Sequence, residues 1–353
     1  MAEYAKYSEI SPQWEKFVSE NPLLGDLDRV DIVERRRIFE QVEAAIPLRQ
    51  IPEDVKRAPV AVQTFTIEAR DGYDIPVRTY VPTSGSGTLI SRPLLVYLHA
   101  GGFLFGDLDS GHLNCQILAS RLNISVLNVG YRLAPKWPFP YGLNDSYDAT
   151  KWAAANAESH LRASATAGFF VGGISSGANF AGVIAYTARD AGLSPPITGL
   201  FLSVPVCIMP DAYPQVRPEI RDQLLSLEQN AINPMLTAKS LGDIQGVYGA
   251  PPNDPRVSFL LNENHSNLPQ RVYFQVCGGD PLRDEAFVWQ KLLEKHSGTK
   301  SKIHMYSGLP HGFWRFLSMK ASQEWLDDLV EGIRYLCLSS EKVGDSEVIV
   351  KGL

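Results

Sequence analysis

From about residue 60 onward, short apolar runs rich in β-branched residues alternate with segments whose apolar residues repeat at helical spacing. Nearly continuous apolar runs are typical of parallel strands that are buried on both faces. Because the two patterns alternate, the sequence predicts an α/β fold with a mostly parallel central sheet flanked by helices. The predicted strands are residues 60–69, 75–82, 94–98, 124–129, 169–171, 199–204, 272–276 and 303–306. The predicted helices are about residues 110–122, 145–160, 176–191, 284–296 and 321–337.

Two segments depart from this alternation. The first 58 residues have helical patterning with little strand character, including one apolar helical face at 32–46. Residues 205–255 are rich in proline and loops, with one predicted helix near 217–229. Ligands of such sheets bind beyond the carboxyl ends of the strands, so both segments are predicted to form a helical cap there. The predicted organisation is an N-terminal cap segment 1–58, a catalytic domain 59–340 with the cap insertion at about 205–255, and a C-terminal tail 341–353.

Charge and cysteine content exclude several classes of function. The net charge of −6 argues against a nucleic-acid partner. No pair of the four cysteines has metal-ligand spacing, so we predict buried free thiols, no metal site and no cofactor. The N-terminus has no secretory pattern, and no run reaches the roughly 18 apolar residues of a membrane span. These features predict a cytoplasmic protein.

The sharpest chemical signal is a Gly-x-Ser-x-Gly sequence between a predicted strand and a predicted helix. Gly173 and Gly177 flank Ser175 in it. This strand–turn–helix context is typical of a nucleophile elbow, in which a strained turn presents the serine hydroxyl above the sheet. Ser175 is therefore the predicted nucleophile.

A serine hydroxyl needs an adjacent base, and the base in turn needs a group that orients it. His311 lies between the last of these predicted strands and the last predicted helix. In α/β-hydrolases the acid lies between the nucleophile and the histidine, and Asp280 follows the strand at 272–276. Asp284, four residues further on, fits better as an acid in the first turn of a helix. The predicted triad is Ser175, His311 and Asp280.

A pair of glycines follows the strand at 94–98. Gly101 and Gly102 allow backbone N–H groups to point at a substrate oxygen without obstruction by side chains. Ser176 adds a backbone N–H at the start of the helix after the nucleophile. We predict that these three N–H groups form an oxyanion hole.

Taken together, the motifs resemble those of the hormone-sensitive-lipase-like carboxylesterases of the α/β-hydrolase fold. Residues 99–103 are similar to the family's His-Gly-Gly-Gly-aromatic motif, and residues 131–140 to its Tyr-Arg-Leu-Ala-Pro-Glu-His-Pro-Phe-Pro motif. Residues 173–179 are similar to its Gly-Asp-Ser-Ala-Gly-Gly-Asn motif. Residues 280–284 and 311–313 match its acid and base motifs. The resemblance covers roughly 60–340 and implies a serine esterase that acts through an acyl-enzyme.

The sequence also departs from the family pattern at a few positions. Ala100 replaces the first glycine of the oxyanion motif, and Ile174 replaces the acid before the nucleophile. Neither change removes a reacting group. The Ser-Ser-Gly-x-Asn variant at 175–179 resembles one in fungal members of the family.

Three functions are compatible with these residues. The first is a serine carboxylesterase for small esters with short or medium acyl chains. The second is a triad-dependent thioesterase, acyltransferase or lactone-forming enzyme of a secondary-metabolite pathway, because cap shape and water exclusion choose the acceptor. The third, a non-catalytic ligand-binding relative, is disfavoured because all three triad residues are present. A homodimer is left open. The residues predicted to line the substrate pocket are Phe103, Phe105, Trp137, Met209 and Trp314.

Overall fold

The part of the chain that the structure describes covers nearly all of the predicted catalytic domain. The computed structural model describes residues 2–21, 30–31, 34, 37–38, 41, 52–83, 92–233, 235–338 and 344–352. The apolar residues of the helical face predicted at 32–46 lie outside these residues.

A nine-stranded sheet forms the centre of the molecule, as the apolar runs predict. Its spatial order is β1-β2-β4-β3-β5-β6-β7-β8-β9. The β1–β2 and β2–β4 pairs are antiparallel and all other pairs are parallel. The strands are β1 (Val60–Glu68), β2 (Asp74–Pro82), β3 (Leu94–Leu98), β4 (Ser125–Val129), β5 (Phe169–Ile174), β6 (Gly199–Ser203), β7 (Arg271–Cys277), β8 (Lys300–Tyr306) and β9 (Glu347–Lys351).

Helices cover both faces of this sheet. The described α-helices are α1 (Pro12–Glu20), α2 (Glu53–Arg57), α3 (His112–Leu122), α4 (Tyr141–Ala155), α5 (Ser176–Asp190), α6 (Pro218–Arg221), α7 (Ser226–Gln229), α8 (Ala238–Tyr248), α9 (Arg283–Ser297) and α10 (Lys320–Leu336). Helices α3 and α10 pack on one face, and α4, α5 and α9 pack on the other. Short 3₁₀ helices lie at Ala2–Ser8, Ala165–Ala167, Pro210–Gln215, Phe259–Leu261 and Phe313–Arg315. Not one of the described helices is long and apolar enough to cross a bilayer.

The central strands are mostly apolar because both of their faces are covered. In β5, Phe169 and Val171 pack into the core on one side of the sheet, whereas Phe170 packs into the core on the other side. Successive side chains of a strand point to opposite faces, so a strand between two helical layers has mostly apolar residues on both faces. The predicted fold class, a mostly parallel sheet between helices, is confirmed.

The C-terminal segment contains a strand that the sequence does not predict. We predicted a tail at 341–353, but residues 347–351 form β9 and pair in parallel with β8. The prediction of a tail is wrong for these five residues, so the sheet extends past 340. The apolar run in this strand is only three residues long, and its side chains are partly or largely exposed, which explains the weak signal.

The insertion at 205–255 contains more helix than the sequence predicts. The single helix expected near 217–229 is replaced by two short helices, α6 and α7. An additional helix, α8, follows a capping box in which Thr237 and Ser240 bond each other's backbone N–H groups. Glycines at 242 and 246 dilute the apolar pattern of α8 and obscured it in the sequence.

Three of the four cysteines are buried, as expected for free thiols in a packed interior. These are Cys115, Cys207 and Cys277. Cys337 is exposed, so the expectation of a buried thiol is wrong at that position. It lies at the C-cap of α10, where the chain leaves the core.

Candidate active site

Ser175 lies in a strained turn between β5 and α5. Its φ of 55° and ψ of −115° are unfavourable for a residue with a side chain. A Cβ atom added at Gly173 or at Gly177 would lie 2.2 Å from the carbonyl oxygen of Leu98. Both glycines are therefore required for β5 and α5 to approach β3 closely enough to hold this turn. The strain and the tight approach explain the local Gly-x-Ser-x-Gly sequence.

His311 lies between Ser175 and Asp280 and hydrogen bonds with both. Its Nε2 is 3.1 Å from Ser175 Oγ, and its Nδ1 is 2.7 Å from Asp280 Oδ2. The other oxygen of Asp280 accepts the backbone N–H of Leu282 at 3.0 Å. The carboxylate accepts the Nδ1–H proton, which leaves Nε2 as the acceptor for the serine proton. The structure thus brings the three predicted triad residues together. Their hydrogen bonds allow a proton to move from Ser175 to His311.

The loop after β3 runs beside Ser175 and is held by a buried histidine. His99 stacks on Tyr131 with ring centroids 4.1 Å apart, and the Tyr131 hydroxyl donates to the carbonyl oxygen of His99 at 2.7 Å. Burial lowers the pKa of His99 to about 4, so its ring is neutral near pH 7. Gly101 and Gly102 follow with φ values of 141° and 59°. Side chains would strain the backbone at both positions.

A cavity of about 380 Å³ opens above Ser175 and His311. Four of the five predicted pocket residues line it, namely Phe103, Phe105, Met209 and Trp314. Of the described residues, none of the first 58 lines this cavity. The part of the cap assigned to 1–58 therefore stays a prediction.

Trp137 does not line the cavity, so its predicted role in substrate binding is wrong. Its ring lies 5.0 Å from the guanidinium of Arg132 and packs against Tyr73 and Tyr141. Arg132 is buried and forms two hydrogen bonds with the carboxylate of Asp145. Trp137 is one wall of an aromatic cage around this ion pair, which accounts for an aromatic residue beside the Tyr-Arg-Leu-Ala-Pro motif.

One wall of the cavity comes from residues that the sequence analysis missed. Leu241 and Ile244 of α8 line the cavity, together with Met235 and Leu236 just before the helix. Leu241, Ile244 and Tyr248 follow a spacing of three and four residues, which is a helical signal that could have identified this wall.

A buried carboxylate supports the floor of the cavity. Glu285 Oε2 accepts the backbone N–H groups of Cys207 at 2.6 Å and Ile208 at 3.1 Å. Its Oε1 accepts the Tyr213 hydroxyl at 2.7 Å. Burial raises the pKa of Glu285 to about 8, although these three donors favour the charged form. Met209, next along the bonded loop, lines the cavity, so Glu285 helps to fix its position.

Comparison with known proteins identifies the fold of the site independently. A family model for the alpha/beta hydrolase fold matches residues 95–315, which is more than half of the chain. The structure of a vibralactone cyclase superposes with a TM-score of 0.80 at 28% identity, covering 94% of this chain and 96% of that one. The matched range contains every predicted site residue, from Gly101 to Trp314.

Two fungal proteins are similar to this chain in sequence over most of their length. An AB hydrolase superfamily protein of Schizosaccharomyces pombe is 31% identical, with 96% of this chain and 97% of the relative aligned. A versiconal hemiacetal acetate esterase of Dothistroma septosporum is 31% identical, with 79% of this chain and 83% of the relative aligned. The second of these is named for the hydrolysis of an acetate ester.

Proposed function

The chain belongs to the hormone-sensitive-lipase-like esterase family of the α/β-hydrolase fold, and from this membership we propose that it is a serine carboxylesterase for small esters. The single observation that carries the proposal is the hydrogen-bonded chain from Ser175 through His311 to Asp280. This arrangement provides a nucleophile, a general base and a group that orients the base.

In the first half of the proposed reaction, His311 removes the proton of Ser175 while the serine oxygen attacks the ester carbonyl. The carbonyl oxygen gains negative charge, and the backbone N–H groups of Gly101, Gly102 and Ser176 stabilise it. Asp280 stabilises the imidazolium that forms. His311 then gives its proton to the alcohol oxygen as the C–O bond breaks, which leaves an acyl group on Ser175.

In the second half, water takes the place of the alcohol. His311 removes a proton from water, the hydroxide oxygen attacks the acyl carbonyl, and the Ser175 oxygen leaves with the proton returned by His311. The products are a carboxylic acid and the free enzyme. No cofactor takes part in either half.

The cavity supports small substrates. Its volume of about 380 Å³ lies near the lower end of the roughly 300–1,000 Å³ typical of ligand pockets. Phe103 stacks on Tyr248 with ring centroids 4.1 Å apart and is buried, so this wall is held by packing. Short or medium acyl chains fit such a space better than long ones do.

A series of p-nitrophenyl esters of increasing chain length tests the proposal. We expect hydrolysis of the short and medium esters and a loss of about 10⁴- to 10⁶-fold in kcat for Ser175→Ala. The matched control is Ser176→Ala, which removes the neighbouring hydroxyl but keeps the backbone N–H, and it should retain most of the activity. Equal hydrolysis by wild type and Ser175→Ala would disprove the assignment. Failure of a fluorophosphonate to label Ser175 would instead favour a non-catalytic binding protein.

A second candidate keeps the same acyl-enzyme but changes the acceptor. The similarity to a vibralactone cyclase favours it, because closing a lactone delivers the acyl group to a hydroxyl of the substrate itself. Alcohols and hydroxy esters added to the assay separate the two functions. A product mixture dominated by new esters or lactones would support acyl transfer, whereas free acid as the main product would support hydrolysis.

A cytoplasmic location and a homodimer stay predictions. Size-exclusion chromatography with light scattering, together with localisation of the tagged full-length chain, would test both.

A further inference from the structure

A second cluster of electron-rich side-chain atoms lies between β8 and α10, apart from the proposed triad. His304 Nε2 lies 3.8 Å from Asp328 Oδ1 and 3.8 Å from Glu331 Oε2. The three ligand atoms all lie within 4.8 Å of one another. The His304 side chain is fully buried, and its Nε2 has no hydrogen-bond partner among the described residues.

The hydrogen bonds of Tyr273 fix which nitrogen of His304 carries the proton. The Tyr273 hydroxyl donates to the backbone carbonyl of Asp328 at 2.7 Å. It must therefore accept from His304 Nδ1, which is 2.9 Å away. The proton of the neutral ring is then on Nδ1, and Nε2 directs a lone pair toward two carboxylate oxygens. A lone pair facing two anionic oxygens is unfavourable unless a positive group lies between them.

The distances favour a metal ion over a proton in that place. A protonated Nε2 would form a charge-assisted hydrogen bond of about 2.7–2.9 Å, which is much shorter than the observed 3.8 Å. Ligand bonds of about 2.1 Å around a tetrahedral ion put neighbouring ligand atoms about 3.4 Å apart. The two separations from His304 Nε2, both 3.8 Å, need to contract by only about 0.4 Å to reach that value, and the two carboxylate oxygens lie within 4.8 Å of each other.

The net charge of the groups around the cluster also favours a cation. Lys351 Nζ lies 2.8 Å from Asp328 Oδ1, and Lys302 contacts both Glu331 and Glu347. Three carboxylates and two ammonium groups leave one negative charge in excess when His304 is neutral. Lys351 donates to Asp328 Oδ1, one of the three ligand atoms, and a second lone pair of this oxygen is left for the ion. Lys302 contacts Glu331 Oε1 and not Oε2, the oxygen that faces His304.

The outer contacts resemble those that orient metal ligands. The Nδ1–H of His304 donates to the Tyr273 hydroxyl oxygen, and Asp328 Oδ2 accepts the Tyr306 hydroxyl at 3.0 Å. Such partners fix the orientation and the tautomer of ligating side chains. We propose that His304, Asp328 and Glu331 form a binding site for a divalent transition-metal ion of the zinc type, which links β8 to α10. One imidazole and two carboxylates suit Zn²⁺ better than Ca²⁺ or Mg²⁺, which prefer oxygen ligands alone.

Zn²⁺ titration of the metal-stripped full-length protein against a chromophoric chelator tests the proposal. Wild type should bind one equivalent, with a rise in Tm of several degrees. Glu331→Gln should weaken binding by at least about tenfold, and His304→Gln should remove it. Glu331 is half exposed, so its variant keeps the test valid if the buried His304→Gln variant does not fold. Glu324→Gln, a change at a partly exposed position on the same helix, is the matched control and should bind like wild type.

Long-range ¹H–¹⁵N spectra give an independent readout. Zn²⁺ should shift the resonance of His304 Nε2 and leave Nδ1 protonated. Binding that is unchanged in His304→Gln and Glu331→Gln would overturn the proposal, because the metal would then lie on other side chains. A protonated Nε2 at neutral pH that does not respond to Zn²⁺ would overturn it too, since a proton would then fill the place of the ion.

Discussion

Two histidines of the site illustrate how burial assigns roles to single residues. His311 is bound on one side by a carboxylate and faces Ser175 on the other. His99 is fully enclosed and stacked on Tyr131, and its low pKa keeps it uncharged. Only His311 is placed to exchange a proton with a substrate, whereas His99 stabilises the loop that carries Gly101.

Glu285 is the residue whose ionisation we expect to affect stability most clearly. Its pKa of about 8 in the folded protein exceeds its ordinary value of 4.5, so folding takes up a proton between these two pH values. The free energy of unfolding contributed by this group should therefore fall as the pH rises from about 5 to about 8. The slope should be at most about 1.4 kcal/mol per pH unit.

Glu285→Gln isolates this effect. The amide oxygen can accept both backbone N–H groups, and the amide NH₂ can donate to Tyr213, so we expect the variant to fold. Urea unfolding at several pH values should show wild type losing stability relative to the variant as the pH rises through this range. A difference between the two proteins that is independent of pH would show that Glu285 has no raised pKa.

Functional residues can be predicted from the sequence where they lie in a short local motif. Ser175 and His311 lie in short motifs beside a strand or a helix, so composition and spacing identify them. Trp137 was misassigned because its contact with Arg132 depends on how distant elements pack. His304 was not identified either, because its partners Asp328 and Glu331 are more than 20 residues away and form no motif with it.

Among the elements, α8 is the one that we expect to set the acyl length. Ile244 lies in its middle and lines the cavity, and a Cβ added at Gly102 would be 3.2 Å from Ile244 Cδ1. This side chain therefore closes the space beside the proposed oxyanion loop.

Ile244→Ala should shift the preferred p-nitrophenyl ester to a chain about two to three carbons longer, because it removes about three side-chain carbons from the wall of the cavity. The measurement is kcat/KM across the chain-length series. Val247→Ala removes apolar atoms from the same helix at a position that does not line the cavity, so its length profile should match that of wild type. An unchanged profile in Ile244→Ala would show that α8 does not limit the acyl group.

Elements were predicted well where their hydrophobic pattern is regular. Strands β3 to β8 are largely buried on both faces, and each contains a short run of mostly apolar residues. Helix α8 and strand β9 were missed because glycines interrupt the first and because the second has partly exposed side chains. Helix α8 lines the cavity and β9 pairs with the edge of the sheet, and the hydrophobic pattern of a short segment does not predict such long-range contacts.

At the scale of the whole molecule, β9 covers one edge of the sheet. Deletion of residues 345–353 should expose the backbone N–H and C=O groups of β8, lower the Tm and increase aggregation. The loss in Tm should be about 1–2 °C for each kcal/mol of stability removed. Calorimetry and light scattering measure the two effects.

Deletion of only residues 352–353 is the control, because it leaves β9 intact and should behave like the full chain. If both deletions have the same Tm as the full chain, β9 contributes nothing to stability and the sheet is complete at β8.

The strand order also has a consequence for synthesis on the ribosome. From β5 to β9, each new strand is added at the outer edge of the sheet in the order in which the chain is translated. The nucleophile turn between β5 and α5 therefore leaves the exit tunnel before β7 and β8 do, because synthesis runs from the N-terminus to the C-terminus. Asp280 and His311 follow β7 and β8, so the nascent chain contains its nucleophile well before it contains the base that activates it. A chain stalled between these points would carry the serine without its base and would therefore be inactive as an esterase.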